Sequence, residues 1–149
     1  MPGVEPFRKT ILLVEDSPDD VELIRRAFRR AGFDNPLQAL SGSEVAIQYL
    51  KGHGQYADRA KSPIPRLILL DFEIPGDPFE VLRWVRQQPQ LRSLAIVLFS
   101  GSDNPNNEKK ARDFGANAYY LKPQDFQEFI ETVTKIGRFW LAPNLDASE

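Results

Sequence analysis

Short apolar runs alternate with longer amphipathic segments along the chain, and this alternation predicts its secondary structure. The strong runs hold four or five apolar residues, which is typical of strands buried on both faces of a parallel sheet. Segments with apolar residues every three or four positions predict helices that cover the sheet. The predicted strands are 11–14, 37–40, 67–70, 95–99 and 118–121, and the predicted helices are 18–31, 43–50, 79–87, 106–114 and 125–140. This alternation indicates an α/β protein with a five-stranded parallel sheet and helices on both faces.

The first predicted helix begins with a recognisable capping signal. Ser17 suits the N-cap, Pro18 suits the first helical position, and Asp20 stands three residues after the cap.

Residues 52–66 carry two prolines and mostly polar side chains. They predict a long loop in which the lone His53 is an ordinary loop residue.

Polar residues follow four of the predicted strands where each strand ends. Glu15 and Asp16 follow the first strand, Asp71 the third, Ser100 the fourth and Lys122 the fifth. The carboxyl ends of parallel strands share one edge of the sheet, and ligands of such sheets bind at that edge. We therefore expect three carboxylates, one hydroxyl and one ammonium group to meet in one place.

This combination of groups favours phosphoryl transfer assisted by a divalent cation. Clustered carboxylates repel one another, and a hard cation that prefers oxygen ligands, such as Mg²⁺, relieves the repulsion. Asp71 stands alone at its strand end and is the predicted nucleophile. Asp16 is the predicted direct metal ligand, and Glu15 is expected to act through a water molecule. Lys122 and Ser100 would neutralise and hydrogen-bond the phosphoryl oxygens.

Composition and charge argue against several other functions. The 149 residues are 42% hydrophobic and 27% charged, as expected of one soluble globular domain. A formal net charge of −2 without a basic cluster argues against nucleic-acid binding, and the absence of cysteine excludes disulfides and thiolate metal sites. Residues 1–9 have no apolar signal core, and no apolar run approaches the roughly 20 residues of a membrane helix. We therefore expect a cytoplasmic protein.

Four sequence motifs resemble those of the receiver domains of bacterial two-component systems. They are ILLVEDS at 11–17, LILLDFEIPG at 67–76, IVLFSGS at 96–102 and AYYLKP at 118–123. Each motif is weak by itself, but their order and spacing together are specific, and the resemblance covers about 10–136. It implies a flavodoxin-like receiver fold with strand order 2-1-3-4-5. It also implies that 1–149 is one receiver domain, with a core at about 10–140 and terminal extensions at 1–9 and 141–149.

The same resemblance implies a response regulator that accepts a phosphoryl group on Asp71 from a histidine kinase and signals by changing conformation. A receiver catalyses only its own phosphorylation and dephosphorylation, so we do not expect an enzyme with a separate substrate. The resemblance also implies that Asp16, Asp71 and the backbone carbonyl of Glu73 bind Mg²⁺, with Glu15 as the other member of the acidic pair. The other implied roles are those of the switch residues Ser100 and Tyr119, the small residue Gly101 beside the phosphoryl group, and the phosphoryl-binding Lys122. The Lys122–Pro123 peptide bond is expected to be cis.

A narrower resemblance is to the small regulators that serve bacterial phytochromes. It depends on the long polar loop at 52–66 and on the C-terminal sequence Gly137–Leu141. It implies a receiver without an output domain, a phytochrome-type kinase as partner, and a homodimer formed through the last helix and the region of Trp140. Alternatively, Phe139 and Trp140 cover the core of their own domain.

The turn after Asp71 departs from the receiver pattern. Residues 75–79 are one residue short, with a proline near the usual glycine, and Glu73 adds a carboxylate. We expect these changes to alter the lifetime of the phosphorylated form. They also leave open an adaptor that does not depend on phosphorylation. A dehalogenase-type phosphatase and a flavodoxin-like carrier are less favoured, because Glu15 and Asp16 match neither a catalytic Asp-x-Asp pattern nor a phosphate-binding loop.

Overall fold

A five-stranded parallel sheet lies between two layers of helices in the computed structural model, which describes residues 10–102 and 104–141. The strands are β1 (Ile11–Val14), β2 (Leu37–Leu40), β3 (Leu67–Leu70), β4 (Ala95–Ser100) and β5 (Ala118–Leu121). The helices are α1 (Pro18–Arg30), α2 (Ser43–Lys51), α3 (Pro78–Gln87), α4 (Pro105–Asp113) and α5 (Phe126–Trp140). Each predicted strand and helix is present, and no end is displaced by more than one residue.

The strand order is β2-β1-β3-β4-β5, which confirms the predicted receiver topology. β1 lies between β2 and β3, so the chain reverses its direction of travel across the sheet at β1, and a crevice opens where β1 and β3 end. Val14, the last residue of β1, pairs with both Leu40 and Leu70. Glu15 and Asp71, the next residues along the chain, therefore stand side by side at this crevice.

Two apolar cores separate the sheet from its helices. Successive side chains of a strand point to opposite faces, so each central strand contributes to both cores. Leu12, Val14, Ile68 and Leu70 face α2 and α3, whereas Ile11, Leu13, Leu67 and Leu69 face α1 and α5. All eight side chains are at most 2% exposed, which explains why β1 and β3 read as unbroken apolar runs.

The long loop between α2 and β3 is held against the end of α2 by hydrogen bonds from Arg59. It contains a short 3₁₀-helix, Gly54–Tyr56, and His53 is an exposed residue in front of it. The Arg59 guanidinium donates hydrogen bonds to the carbonyls of Tyr49, Leu50 and Ser62 at 2.7–3.1 Å. Because the last carbonyls of a helix have no partner within the helix, Arg59 satisfies the end of α2 and holds the loop against it.

The prediction of a cis bond between Lys122 and Pro123 was wrong. No cis peptide bond occurs among the described residues, so this bond is trans. A bond that precedes proline favours trans by only about 0.5–1 kcal/mol. Local sequence is therefore a weak guide to its isomer.

The described part of the chain ends with Leu141, which is 2% exposed and belongs to the core beneath α5. The remainder of the predicted terminal extensions, 1–9 and 142–149, lies outside the described residues. Within those residues, no helix combines the length and the apolar character that crossing a bilayer requires.

Candidate functional site

Four charged side chains meet where β1, β3 and β5 end. The Lys122 Nζ atom lies 2.7 Å from Glu15 Oε1, 2.8 Å from Asp20 Oδ2 and 3.0 Å from Asp71 Oδ2. An ammonium group has three N–H donors, so Lys122 has one donor for each carboxylate. Glu15 and Asp71 are buried, and the Lys122 side chain is only 10% exposed. We call the three carboxylates the acidic cluster, and Lys122 is their common partner.

Burial and the neighbouring charges shift the pKa values of Glu15 and Asp71 in opposite directions. Burial raises the pKa of Glu15 to about 7, and its hydrogen bond with Asp71 adds to the rise against the opposing effect of Lys122. Burial would also raise the pKa of Asp71, but its hydrogen bond with Glu15, the positive charge of Lys122 and the Glu73 N–H group together lower it. Asp71 is therefore the ionised carboxylate of the pair, as a nucleophile must be.

The charge on the lysine is maintained by its partners. Burial would lower the pKa of Lys122, but hydrogen bonds to Asp20 and Glu15, with the negative charges of Asp71 and Glu15, raise it above its ordinary value. The ammonium form persists throughout the physiological pH range, so a positive charge always stands 3.0 Å from Asp71.

We expect replacement of Glu15 by glutamine to stabilise the metal-free protein above neutral pH. The pKa of Glu15 is raised from 4.5 to about 7 in the folded state. The corresponding stabilisation is fully present below pH 4.5 and is lost as pH rises through 7. Glu15→Gln removes this loss, so its free energy of unfolding at pH 8 should exceed that of the wild type by about 1–2 kcal/mol. Urea unfolding with a chelator at pH 5 and pH 8 measures this difference in the free energy of unfolding. If that free energy changed by the same amount between the two pH values in both proteins, the prediction would be wrong.

The acidic cluster has the donor atoms that a hard divalent cation prefers. Carboxylate oxygens of Glu15, Asp20 and Asp71 all lie within 4.8 Å of one another. Such an oxygen-only set fits Mg²⁺ or Mn²⁺. Asp16 is exposed and is not in this group, so its role as a direct ligand stays a prediction.

Asp20 is the site residue that sequence reasoning missed. Its position three residues after Ser17 indicated only a capping box, in which the acid bonds back to the cap. The first turn of α1 instead carries the Asp20 carboxylate back over the ends of the strands to Lys122. The available signal was a fourth acid within six residues of the strand end, in the sequence Glu15-Asp16-Ser17-Pro18-Asp19-Asp20.

The short turn after Asp71 is held at several points. The Glu73 N–H group donates to Asp71 Oδ1 at 3.1 Å, and the Ser43 N–H group donates to the carbonyl of Pro75 at 3.1 Å. Gly76 has a φ of +88°, a conformation that favours glycine, and the Asp77 side chain then caps α3. The turn thus connects Asp71 to the start of α2. The Glu73 side chain is exposed, and its carbonyl's role as a ligand and its effect on phosphoryl lifetime stay predictions.

The residues predicted to switch converge on the backbone at Ser102. Ser100 is fully buried, and its hydroxyl accepts a hydrogen bond from the Ser102 N–H group at 3.3 Å. The half-buried Tyr119 donates its hydroxyl to the Ser102 carbonyl, and its ring packs 5.6 Å from that of Phe72. Apart from Gly101 and its two chain neighbours, no described residue has an atom within 4 Å of a Cβ placed on Gly101, so the space beside this glycine is open. The structure brings these residues together, and their switching roles stay predictions.

The two aromatic residues at the end of α5 have different environments. Trp140 packs against the core between α1, α5 and the sheet, and its indole N–H donates to the Tyr120 hydroxyl at 3.4 Å. Phe139 is 71% exposed and contacts the Trp140 ring with its centroid at 4.7 Å. Trp140 therefore covers its own core, whereas the side chain of Phe139 lies mostly outside it.

Comparison with known proteins agrees with this geometry. The sequence profile described as response regulator receiver domain matches residues 11–134. The probable methanogenesis regulatory protein FilR2 of Methanothrix harundinacea is 33% identical over 141 residues, which are 94% of this chain and 87% of FilR2. The response regulator Rcp1 of Synechocystis is 33% identical over 134 residues, which are 89% of each protein.

Solved structures of such regulators superpose closely on this fold. The Mn²⁺-bound form of Rcp1 gives a TM-score of 0.81 at 32% identity, over 91% of this chain and 96% of Rcp1. The phosphorylated cyanobacterial phytochrome response regulator RcpA gives a TM-score of 0.83 at 31% identity, over 91% of this chain and 95% of RcpA. The matched sequence profile, the identities and the shared fold together show that this chain belongs to the response regulator receiver domain family.

Proposed function

We propose that this protein is a response regulator of a two-component system, and that its Asp71 accepts a phosphoryl group from a histidine kinase. One observation carries the proposal: Asp71 is a buried carboxylate with a lowered pKa that lies 3.0 Å from the ammonium group of Lys122. A buried carboxylate beside a fixed cation is poised to attack an anionic phosphorus centre. The phosphorylated form of the relative RcpA supports the same chemistry.

The residues of the site have defined tasks in this transfer. One Asp71 oxygen attacks phosphorus, the P–N bond to the kinase histidine breaks, and the histidine nitrogen leaves with the electron pair. Lys122 neutralises one phosphoryl oxygen, and the Ser100 hydroxyl donates to another. Mg²⁺ would be held by Asp71, Asp16 and the Glu73 carbonyl, with Glu15 acting through a water molecule, and would supply further positive charge. No separate substrate is turned over, so the protein signals rather than acting as a general enzyme.

The output of the switch would be a change in the position of α4. This helix has one buried side chain, Ala111, so little apolar contact opposes a shift. Movement of the Ser100 hydroxyl toward the phosphoryl group would break its bond to Ser102 and free Tyr119 to rotate. Phosphorylation would thus be transmitted to the surface formed by α4 and β5.

The proposed partners follow from the relatives and from α5. RcpA is a phytochrome regulator, which supports a phytochrome-type kinase in the cytoplasm as the phosphoryl donor. FilR2 is 33% identical to this chain and RcpA 31%, so sequence similarity does not fix the signal. The exposed Phe139 supports a homodimer through α5. Sedimentation velocity with and without beryllofluoride would measure whether such a dimer forms and whether it depends on phosphorylation.

Acetyl phosphate provides the direct test of the proposed function. With Mg²⁺, the wild type should acquire one acid-stable but base-labile phosphoryl group, resolved on a phosphate-affinity gel, and a chelator should prevent the reaction. Asp71→Asn is the matched control and should remain unlabelled, because the amide is not a nucleophile. Absence of label on a folded wild type that also fails to bind beryllofluoride would overturn the proposal and favour the adaptor.

A further inference from the structure

We propose that Asp20 is a positioning residue: it holds Lys122 in the unphosphorylated protein and is the carboxylate that releases the ammonium group to the incoming phosphoryl group. The inference rests on the proposed function and adds a residue to it. Lys122 has three N–H donors, and Glu15, Asp20 and Asp71 accept one each. A phosphoryl oxygen can therefore bind Lys122 only after one of these three bonds breaks.

The local structure of α1 directs Asp20 toward Lys122. In a capping box, the acid three residues after the cap would accept the N–H group of Ser17. Here the Ser17 N–H group donates to Glu15 Oε2 at 3.1 Å instead, while the Ser17 hydroxyl still accepts the Asp20 N–H group at 3.2 Å. The backbone of Asp20 is thus fixed by the cap, and its carboxylate is left for Lys122 at 2.8 Å.

Exposure decides which of the three bonds breaks most easily. The side chain of Asp20 is 38% exposed, against 2% for Glu15 and 6% for Asp71. A carboxylate that leaves an ion pair for water recovers its hydration, whereas a buried one loses a partner without compensation. Asp71 must stay in place because it carries the phosphoryl group. Asp20 is therefore the partner that can turn away at the lowest cost.

Removing the negative charge of Asp20 should make Lys122 easier to recruit. An amide oxygen is a weaker acceptor for an ammonium group than a carboxylate oxygen. In Asp20→Asn, phosphorylation of Asp71 by acetyl phosphate at saturating Mg²⁺ should be about three- to tenfold faster, the range that one partly exposed charged hydrogen bond contributes. In that reaction an Asp71 oxygen attacks phosphorus, the P–O bond to the acetyl group breaks, and acetate leaves with the electron pair.

Asp19→Asn is the matched control. Asp19 lies in the same helical turn, and its side chain makes no hydrogen bond or ion pair with any residue that the structure describes. The Asp19→Asn substitution removes the same charge from the same end of α1. Its effect therefore measures general electrostatic changes and changes in helix stability. Asp20→Glu keeps the carboxylate and should react within about twofold of the wild type, because its longer side chain still reaches Lys122.

The experiment compares the wild type, Asp20→Asn, Asp20→Glu and Asp19→Asn. For each protein it measures the phosphorylation rate, the dissociation constant of beryllofluoride, and the dissociation constant of Mg²⁺ alone by calorimetry, after thermal unfolding has shown that the variant folds. We expect Asp20→Asn alone to react faster and to bind beryllofluoride three- to tenfold more tightly, while Mg²⁺ affinity changes less than beryllofluoride affinity.

Three results would overturn the inference. Equal rates for Asp20→Asn and Asp19→Asn would show that the contact with Lys122 has no role in the reaction. A slower Asp20→Asn whose Mg²⁺ affinity falls tenfold or more would make Asp20 a metal ligand instead of a lysine partner. A wild type that accepts no phosphoryl group would overturn the proposed function and this inference with it, which separates that failure from the first two.

Discussion

Replacement of Lys122 by methionine should slow phosphorylation of Asp71 by roughly a hundredfold or more. The Lys122 ammonium group is the cation that stands 3.0 Å from the acceptor oxygen, and methionine fills similar space without charge or donors. The transferring phosphoryl group would then lose a fixed donor in a buried site, where such interactions contribute most. The initial rate of labelling by acetyl phosphate at saturating Mg²⁺ measures the effect. Lys135→Met, which removes an exposed lysine from α5, is the matched control and should react like the wild type.

The same substitution should also reveal what Lys122 contributes to stability. Glu15, Asp20 and Asp71 would share a partly buried site without their common cation. We expect the free energy of unfolding of Lys122→Met to fall by about 2 kcal/mol at pH 8 without divalent metal, and by less at pH 5, where protonation relieves the repulsion. Added Mg²⁺ should restore part of the loss by supplying positive charge. A variant as stable as the wild type at pH 8 would mean that the lysine is retained for chemistry alone.

Replacement of Gly76 by alanine should destabilise the protein by about 2–3 kcal/mol. Gly76 has a φ of +88°, in which an L side chain is strained, and its added Cβ would collide with the Ser43 hydroxyl oxygen. Ser43 is buried, and its N–H group bonds to Pro75, so the turn after Asp71 cannot move away without breaking that contact. Urea unfolding measures the loss, and slower labelling of Asp71 would show that the turn also positions the acceptor.

Two further variants separate strain from collision at Gly76. Gly54 has a φ of +59° with no described atom within 4 Å of an added Cβ, so Gly54→Ala should cost only the conformational part, about 1 kcal/mol. Ser43→Ala combined with Gly76→Ala removes the colliding hydroxyl oxygen and should recover part of the stability. Equal losses for Gly54→Ala and Gly76→Ala would contradict the expected collision of the added Cβ at residue 76 with Ser43.

The order and bounds of the strands could be predicted from the sequence because buried strands leave unbroken apolar runs. The runs that end before Glu15 and Asp71 are of this kind, since helices cover both faces of β1 and β3. The polar residues that follow them mark the edge of the sheet where ligands bind. The sequence therefore predicted the fold and the edge of the sheet at which the structure brings Glu15, Asp71 and Lys122 together.

Contacts between distant residues were beyond the reach of sequence patterns. Asp20 was predicted only as the residue three positions after the Ser17 cap, because the capping pattern is local, whereas its contact with Lys122 joins residues 102 positions apart. Local patterns equally could not separate Trp140, which covers its own core, from its exposed neighbour Phe139. Both outcomes depend on which surfaces the packed helices and strands present to each other.

By itself, the sequence determined the α/β architecture and the edge of the sheet at which Asp71 lies, because periodicity and the residues at strand ends follow from local burial. Only the tertiary structure decided that Asp20 joins Glu15 around Lys122 and that the turn after Asp71 rests on α2. It also decided that the bond before Pro123 is trans. The physical reason is that hydrogen bonds, ion pairs and turn conformations of this kind are selected by side chains that meet only after the chain has packed.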